Sequence, residues 1–479
     1  MDKELALIDL AFLMLESRVQ TGHVGGLAIF TLPDNAGEGF FQRAVESHHD
    51  WRQANGVFRL KLQRTGINLG WVADDSTDAA THIQYLALPQ PGSRQQLYAL
   101  VERLHAQPLD RHHPLWEAAF IERLEGGRGA LYIKIHHALV DGISAIRTLL
   151  QSFSPSPHGP SPHLFWQTEL PSARPASADD QPSFLAVLEK LRALRSSLAA
   201  VIPTFTQETV RPLLHAIGLD QEAAMSSFMA PRSILNRQIT SRRQFASHEF
   251  SVQEVTTVAK AAGCTMNDVV LMVCASALRR YLADHDALPQ APLVTWMPIS
   301  TRSEEDQRPS NLITTACVSL ATDIADPLQR FRAIQASTAA AKQEVTARRR
   351  EATEWVTLLR GGLPILTDLL GVSNLLPPVV NLTISNVPGI TKDFYFHGAK
   401  LEGIYPLSVL VGTMGLNITL LSCGDTLAVG LLACPDTIPA LDTLAAYLGD
   451  AFSEFQQLFP SRHNATAVPT KSKRRNRRM

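Results

Sequence analysis

The segment whose residue types are best suited to catalysis covers residues 131–142 and reads LYIKIHHALVDG. Its alternating hydrophobic pattern predicts a strand over Leu131–His137, in which neighbouring side chains point to opposite faces. His137 then ends an apolar face, whereas His136 points the other way. An imidazole at the end of a buried strand suits a general base that works near neutral pH. An isolated histidine is more often a hydrogen-bonded core residue, so that interpretation stays open for His137.

Asp141 and Gly142 follow where the chain turns into a predicted helix over 143–153. Asp141 is expected either to cap this helix or to enter a buried ion pair that holds the turn. A metal site is disfavoured, because adjacent histidines on a strand diverge and no further close ligand completes a shell. The five cysteines are odd in number and lack the paired spacing of a zinc site. They are expected to be reduced and to behave as small hydrophobic residues.

Two other segments place polar groups where they could meet a substrate. Thr265 and Asp268 flank a predicted helix start in the pattern of a capping box, which can be the whole role of this segment. Alternatively, Asn267 directs its amide toward a reacting carbonyl, as an oxyanion donor or a brace for the base, with Asp268 beside it. In a strand predicted at 379–385, Thr383 and Ser385 share one face, and such a polar stripe on an otherwise buried strand needs hydrogen-bonding partners.

The elements that position these residues divide at 154–182, a segment with seven prolines and many serines. This composition predicts a linker or a long surface crossover. It separates an N-terminal lobe, 1–153, from a C-terminal lobe, 183–460, followed by a tail, 461–479. Periodicity and turn signals indicate a mixed α/β fold in two lobes. Helices are predicted at 95–105, 253–262, 266–284 and 326–348, and further strands at 293–299, 313–320, 405–411, 416–422 and 427–433.

The composition excludes several classes of protein. With 479 residues and 45% hydrophobic content, the chain can bury a large core, so it is neither wholly disordered nor a disulfide-stapled mini-protein. The start of the chain is acidic and carries no visible secretory signal. Uncharged runs at 369–391 and 403–424 are interrupted by prolines, glycines and asparagines, which favours buried strands over membrane spans.

The charges are unevenly distributed along the chain. The segment 471–479 contains six of the 44 basic residues and no acidic residue. Removing these six leaves 38 basic residues against 45 acidic ones, so the remaining chain is mildly acidic. A short polybasic tail of this kind binds anionic surfaces, or it is a solvated tail without a role.

The segment His136–Gly142 carries the pattern HHxxxDG and resembles the active-site signature of CoA-dependent acyltransferases. Further motifs along most of the chain narrow the resemblance to the bacterial wax ester synthase/diacylglycerol acyltransferase family. At one place the chain departs from the pattern, because Thr21 and Gly22 stand where the family usually has Pro and Met. These two lie far from His137 in sequence and are expected to matter little for the chemistry. The other matching motifs are Phe12–Glu16, His23–Leu27, Pro114–Trp116, Met266–Asp268, Met297–Arg302, Asn381–Gly389, Tyr405–Pro406 and Gly415–Ile418.

The resemblance implies two lobes of chloramphenicol acetyltransferase-like topology, with a tunnel between them. It implies that His137 is the general base, supported by His136 and by the turn at Asp141 and Gly142, and that Arg302 pairs with Asp141. The base takes the proton of a fatty alcohol or diacylglycerol hydroxyl, and the oxygen attacks the thioester of a long-chain acyl-CoA directly. The implied products are a wax ester or a triacylglycerol, and neither an acyl-enzyme, a cofactor nor a metal is expected.

Two alternatives remain beside this interpretation. The first is a condensation-type acyltransferase that uses a carrier protein, which the full set of motifs and the lack of carrier or adenylation modules disfavour. The second is a non-catalytic lipid-binding or lipid-droplet protein, which the intact His137, Asp141 and Gly142 disfavour. No nucleic-acid partner is expected. The expected location is cytoplasmic, with peripheral binding to a membrane or a lipid inclusion, because the implied substrates reside there.

Overall fold

The structure, a computed structural model, describes the following residues: 9, 12–13, 16–65, 68–140, 142–159, 163–169, 230–299, 314–347, 377–390 and 392–460. The strands are β1 (His23–Thr31), β2 (Leu60–Thr65), β3 (Asn68–Ala73), β4 (Ile83–Ala87), β5 (Trp116–Leu124), β6 (Arg128–His136), β7 (Gln244–Ser251), β8 (Val294–Ile299), β9 (Thr314–Ser319), β10 (Leu382–Ile390), β11 (Tyr395–Phe396), β12 (Ala399–Leu407), β13 (Leu416–Cys423) and β14 (Thr426–Ala433). The helices are α1 (Phe40–Glu46), α2 (Arg94–Ala106), α3 (Gly142–Leu150), α4 (Val252–Ala262), α5 (Met266–Asp284), α6 (Pro327–Ala347) and α7 (Leu441–Leu458).

Two six-stranded sheets and the β2–β3 hairpin form the framework. The first sheet has the order β11-β12-β1-β6-β5-β4, and the second has the order β7-β14-β13-β10-β8-β9. Each sheet is mixed, because β4 runs parallel to β5 in the first and β10 runs parallel to β8 and β13 in the second. Helices α4 to α7 bury apolar residues against one face of the second sheet and form the largest core of the molecule.

The second half of the chain contributes to both sheets. Strands β11 and β12 lie within the range 183–460, yet they hydrogen-bond into the first sheet, with β12 antiparallel to β1. Strand β14 packs closely on β12, because Gly430 lies so near the Pro406 carbonyl that a β-carbon there would overlap it. A division of the chain by sequence position therefore does not coincide with the division into sheets.

Helix α2 joins the two sheets through side chains spaced one turn apart. Arg94 and Tyr405 both bond Glu249 at the edge strand β7, each at 2.6 Å. One turn along, the Tyr98 hydroxyl lies 2.5 Å from Ser247 Oγ. A further turn along, Glu102 accepts a 2.8 Å hydrogen bond from the backbone of β7. This i, i+4 spacing puts all three α2 residues on one helix face, where they cover the edge of the second sheet.

The local predictions agree with these elements at most boundaries. Helix α4 ends at Gly263, which adopts a left-handed conformation at φ 65°, and α5 begins with the expected capping box. The strand predicted at 405–411 is wrong in position, since β12 ends at Leu407. Strand β6 ends at His136, one residue earlier than predicted, because the chain turns at His137.

Candidate active site

The histidine pair lies where β6 leaves the first sheet. The backbone amide of His136 donates to the Leu115 carbonyl at 2.9 Å, and that of His137 donates to the Gly22 carbonyl at 2.9 Å. The Leu139 amide then closes a turn onto the His136 carbonyl at 2.8 Å. The strands on both sides of β6 thus hold the backbone of the pair, although His137 is no longer a strand residue.

His137 is partly buried, and an aromatic ring sets the orientation of its imidazole. The ring stacks on Phe12, with centroids 4.4 Å apart and an interplanar angle of 15°. Phe12 is helical, and its carbonyl accepts a 3.2 Å hydrogen bond from the Glu16 amide. Because the turn interrupts the strand alternation, this stacking contact, and not strand parity, determines where the His137 ring lies.

His136 is completely buried and has a different environment. Its Nδ1 accepts a 3.1 Å hydrogen bond from the Ala138 amide, so the proton of the neutral ring sits on Nε2. Burial, together with the nearby His137 and Arg111, lowers the pKa of His136 to about 3. His136 is therefore neutral near pH 7 and braces the turn that carries His137.

A buried carboxylate that the sequence did not single out lies next to His136. Glu16 Oε1 is 3.8 Å from His136 Nε2 and accepts a 3.4 Å hydrogen bond from the Gly22 amide. Glu16 Oε2 pairs with Arg111, whose Nη2 is 2.7 Å away and whose Nε is 2.8 Å away. The Glu16 side chain is only 6% exposed, so this pair is held out of water on the carboxylate side. The sequence signal for Glu16 was its place in a family motif, and Arg111 carried no such signal.

Gly22 touches both histidines, although it is more than a hundred positions away in sequence. A β-carbon at Gly22 would overlap the His136 ring, and the Gly22 carbonyl binds the His137 amide. The departure from the family pattern at this position therefore lies inside the candidate site. The expectation that this departure matters little rested on its distance from the histidines in sequence. The pairing of β1 with β6 makes them neighbours in space despite that distance.

Behind the histidine pair, β6 and α2 enclose a second polar group. The Lys134 ammonium is buried, pairs with Glu117 at 2.9 Å, and binds the Leu104 carbonyl at 3.1 Å near the C-terminus of α2. A cation at a helix C-terminus is stabilised by the free carbonyls there. His105 Nδ1 lies 2.8 Å from the Tyr132 hydroxyl, and burial lowers the pKa of His105 to about 3. This group fixes α2 against the strand that carries the site.

The Pro114–Trp116 segment is anchored by the buried side chain of Trp116. Trp116 is fully buried, and its Nε1 donates to the Phe58 carbonyl at 2.8 Å. Because Leu115 accepts the His136 amide, this anchor also holds the last residue of β6. The segment supports the site from behind.

The residues at the start of α5 divide between capping and contact with the second sheet. Asp268 is buried, and its Oδ2 accepts hydrogen bonds from the Thr265 amide at 3.0 Å and the Thr265 hydroxyl at 2.7 Å, so its carboxylate is engaged in the capping box. Asn267 instead directs its amide to Met297 Sδ on β8, at 3.0 Å. Met297 belongs to the core beneath α5, which places Asn267 on the helix-covered side of the second sheet.

Thr383 and Ser385 lie on the other face of that sheet. In the parallel pair of β10 with β13, Thr383 is in register with Asn417 and Ser385 with Thr419, so the four polar side chains share a face. Thr419 is also opposite Gly430, the β14 residue in contact with β12. The stripe therefore faces the first sheet, on the side where a tunnel wall was predicted. We refer to Thr383, Ser385, Asn417 and Thr419 as the β10–β13 stripe.

The remaining predicted site residues are described in part. Gly142 begins α3, and a β-carbon there would meet no described atom within 4 Å, so the space beside this helix start is open in the described part of the chain. Asp141 and Arg302 lie outside the described residues, and their pairing stays a prediction. Within the described ranges, no group of three or more His, Cys, Asp or Glu side chains is arranged to hold a metal ion.

Comparison with known proteins gives the family. The profile of the wax ester synthase/diacylglycerol acyltransferase catalytic domain matches residues 5–270, and that of the C-terminal domain of the same family matches residues 310–456. The O-acyltransferase WSD of Acinetobacter baylyi is 36% identical over 455 residues, which cover 94% of this chain and 96% of that protein. The chain belongs to the wax ester synthase/diacylglycerol acyltransferase family. The predicted enzyme class, an O-acyltransferase, is thereby confirmed.

Solved structures support the same assignment at the level of the fold. The wax ester synthase/diacylglycerol acyltransferase of Marinobacter aquaeolei VT8 superposes with a TM-score of 0.76 at 31% identity, covering 95% of this chain and 99% of that one. The first condensation domain of the CDA synthetase superposes with a TM-score of 0.57 at 14% identity, covering 95% and 97% of the two chains, which shows a shared fold alone. The predicted two-lobed α/β fold is confirmed.

Of the helices in the described ranges, none alone has the length and apolar composition to cross a bilayer, whereas α4 and α5 reach them only as a pair bent by 97°.

Proposed function

We propose that the protein transfers a long-chain acyl group from acyl-CoA to a fatty alcohol or a diacylglycerol, with His137 as the general base. The observation that supports this choice of base is the contrast within the histidine pair. His136 is fully buried, bound at Nδ1 and held neutral by a lowered pKa, whereas His137 stands on the turn and is only partly buried. Membership in an acyltransferase family and the HHxxxDG pattern support the same choice.

The proposed reaction needs one proton carrier. His137 accepts the hydroxyl proton of the alcohol while the oxygen attacks the thioester carbonyl and forms the new C–O bond. The tetrahedral oxyanion then collapses, the C–S bond breaks, and the coenzyme A thiolate takes the proton from the imidazolium. The ester and the free thiol leave, His137 is neutral again, and every atom is accounted for without an acyl-enzyme.

The neutral donors are proposed to act on the acyl carbonyl and the acceptor. The β10–β13 stripe offers hydroxyl groups on the face that looks toward the first sheet, and Asn267, on the helix-covered side, has an amide with two N–H donors, of which one contacts Met297 Sδ. Preorganised neutral donors stabilise a developing oxyanion without changing their own protonation. Thr383, Ser385 and Asn267 are therefore the proposed oxyanion or substrate-binding residues, and Asp268 is proposed to act only through the helix start.

One assay tests the function and the acceptor class together. Purified protein is incubated with palmitoyl-CoA plus either hexadecanol or dipalmitoylglycerol, thiol release is followed, and the lipid product is identified. We expect thiol release that depends on the acceptor, with a wax ester or a triacylglycerol as the product. Thiol release that is equal with and without acceptor would indicate a thioesterase and contradict the proposal.

We further propose that the chain binds its lipid substrates at an anionic membrane or lipid-inclusion surface through the basic segment 471–479. Among the residues that the structure describes, Val19 is the one large hydrophobic residue that is exposed, at 41%, so an apolar anchor on the described surface is small. Deleting 471–479 is expected to weaken sedimentation with anionic liposomes at low salt, and to affect zwitterionic liposomes much less. Equal binding by both proteins would exclude the tail as the anchor.

A further inference from the structure

We propose that Glu16, paired with Arg111, is a positioning residue for His137 and acts through Gly22 and His136. The inference depends on the proposed role of His137 as the base. Glu16 is nearly inaccessible to solvent and contacts both elements that hold the base, although it does not touch the reacting atoms.

The first connection runs through the backbone that leads into β1. The Gly22 amide donates to Glu16 Oε1 at 3.4 Å, and the carbonyl of the same residue accepts the His137 amide at 2.9 Å. One residue thus links the carboxylate to the backbone of the base. Gly22 has no side chain to hold it in place, so its backbone is free to follow a shift of the Glu16 carboxylate.

The second connection runs through the His136 ring. His136 Nε2, which has no hydrogen-bond partner among the described residues, lies 3.8 Å from Glu16 Oε1, while Nδ1 accepts the amide of Ala138 in the turn. The carboxylate favours this tautomer, because the other one would direct an unprotonated nitrogen at a negative charge. The tautomer that receives the Ala138 amide is therefore the one that Glu16 selects.

The backbone of Glu16 is also linked to the ring that stacks on the base, because the Glu16 amide donates to the carbonyl of Phe12 at 3.2 Å. Arg111 donates to the Leu13 carbonyl at 2.6 Å as well as to Glu16, so it ties this backbone to the carboxylate. Carboxylate, stacking ring and base therefore move as one unit, which a single ion pair holds in place.

The two charges of the pair have opposite effects on the protonated base. Among charged or titratable groups, the described structure places His136 next to His137, and it places Glu16, Arg111 and, opposite on β1, His23 around His136, whereas the ring stacked on His137 is the uncharged Phe12. Removing the Glu16 charge disfavours an imidazolium nearby, and removing the Arg111 charge favours it. The acid limb of the pH profile of kcat/KM should therefore shift to lower pH in Glu16→Gln and to higher pH in Arg111→Gln. A general loosening of the fold would not produce shifts of opposite sign.

The test measures kcat, KM and the pH profile of the full-length protein with palmitoyl-CoA and its preferred acceptor. Glu16→Gln should lower kcat roughly 10- to 100-fold, with little change in KM, since misplacing a reacting group costs up to about that factor. The matched control is Glu122→Gln. Glu122, like Glu16, is a carboxylate that binds backbone amides, in its case those of Gly39 and Phe41, but it lies at the far end of the same sheet. This control should keep kcat even where its melting temperature falls.

The outcomes distinguish this inference from the function on which it rests. If His137→Ala retains full activity, the proposed base is wrong and the positioning role falls with it. If His137→Ala is inactive while Glu16→Gln matches Glu122→Gln in kcat and pH profile, the positioning role alone is overturned.

A second variant covers the case in which Glu16→Gln does not fold. Gly22→Ala leaves all charges in place and drives a methyl group against the His136 ring. It should lower kcat with an unchanged KM, whereas Gly70→Ala, where a β-carbon meets no described atom within 4 Å, should not. Wild-type kcat in a folded Gly22→Ala variant would contradict the path through His136.

Discussion

The turn after β6 and the β10–β13 stripe are both polar regions in a largely apolar interior, but they differ in chemistry. The turn concentrates titratable and charged groups, namely His136, His137, Glu16 and Arg111. The stripe contains hydroxyl and amide side chains, and one of its members bonds another, with Thr419 donating to Asn417 at 2.8 Å. We therefore propose that proton transfer occurs at the first sheet and that the second sheet supplies donors whose protonation does not depend on pH near neutrality.

The same comparison shows how burial divides related residues. Two adjacent histidines share a turn, yet one is enclosed and kept neutral while the other stays accessible. A titratable side chain that is removed from water must either pair its charge or become neutral. Glu16 is paired with Arg111, whereas His136 is neutral. In the proposed mechanism, accessibility and not residue type therefore distinguishes the base from its neighbour.

The largest expected effect comes from the turn. His137→Ala should lower kcat by about 10²–10⁴-fold, because a general base in the transition state is lost. Thiol release with palmitoyl-CoA measures the effect. The exposed His112→Ala is the control and should behave as wild type. Activity within about threefold of wild type in His137→Ala would move the proton transfer away from this residue.

The next effect tests whether a neutral donor lies at the start of α5. If Asn267 stabilises the oxyanion, Asn267→Ala should lower kcat by about 100-fold. Thr265→Ala is the matched variant, since it removes the cap of the same helix and should cost about 1 kcal/mol of stability with kcat retained. If both variants only lower the melting temperature, Asn267 braces Met297 and takes no part in the chemistry.

Smaller changes are expected from the stripe. Thr383→Val and Ser385→Ala each remove one neutral hydrogen-bonding group, which corresponds to about 0.5–1.5 kcal/mol, or roughly 3- to 10-fold in kcat/KM. The acid limb of the pH profile should stay in place in both variants, because neither residue titrates. A shift of that limb would mean that the stripe touches the base, and the separation of the two regions would be wrong.

The last prediction concerns the stability of the fold in acid, and no change in stability is expected at neutral pH. Burial lowers the pKa values of His23, His105 and His136, so each is neutral when folded and gains a proton on unfolding below pH about 6.5. Stability is then complete above that pH and falls as the pH drops toward 3, by up to about 1.4 kcal/mol per pH unit for each histidine. Melting curves from pH 7 to 5 measure this slope, and His105→Gln should reduce it. An unchanged slope in that variant would contradict the assignment.

Much of the fold followed from local patterns, because those patterns depend on neighbouring residues. The helix over 266–284 was predicted at its observed bounds from its cap and its apolar content. The strand at 405–411 was misplaced because Leu410, which lies beyond the end of β12, is buried although it belongs to no strand. A run of apolar residues indicates that a segment is buried, but it does not specify which of its residues pair in a strand.

The candidate site was predictable where its residues are close in sequence and hidden where they are not. His136, His137 and Gly142 form one segment with a recognisable spacing. Glu16 and Arg111 are 95 positions apart, and each by itself is an ordinary charged residue. Only their pairing under exclusion of water makes them part of the site.

By itself, the amino-acid sequence determined the mixed α/β class, the family and the segment that carries the proposed base, because each is encoded in residues that are near one another in the chain. The tertiary structure decided which histidine is enclosed, that Gly22 lies against the pair, and that β12 crosses into the first sheet. These features depend on the pairing of β1 with β6 and β12, which brings distant residues together by backbone hydrogen bonds. Nearly every residue can form backbone hydrogen bonds, whatever its side chain. The pattern of side chains therefore does not indicate which strands will pair.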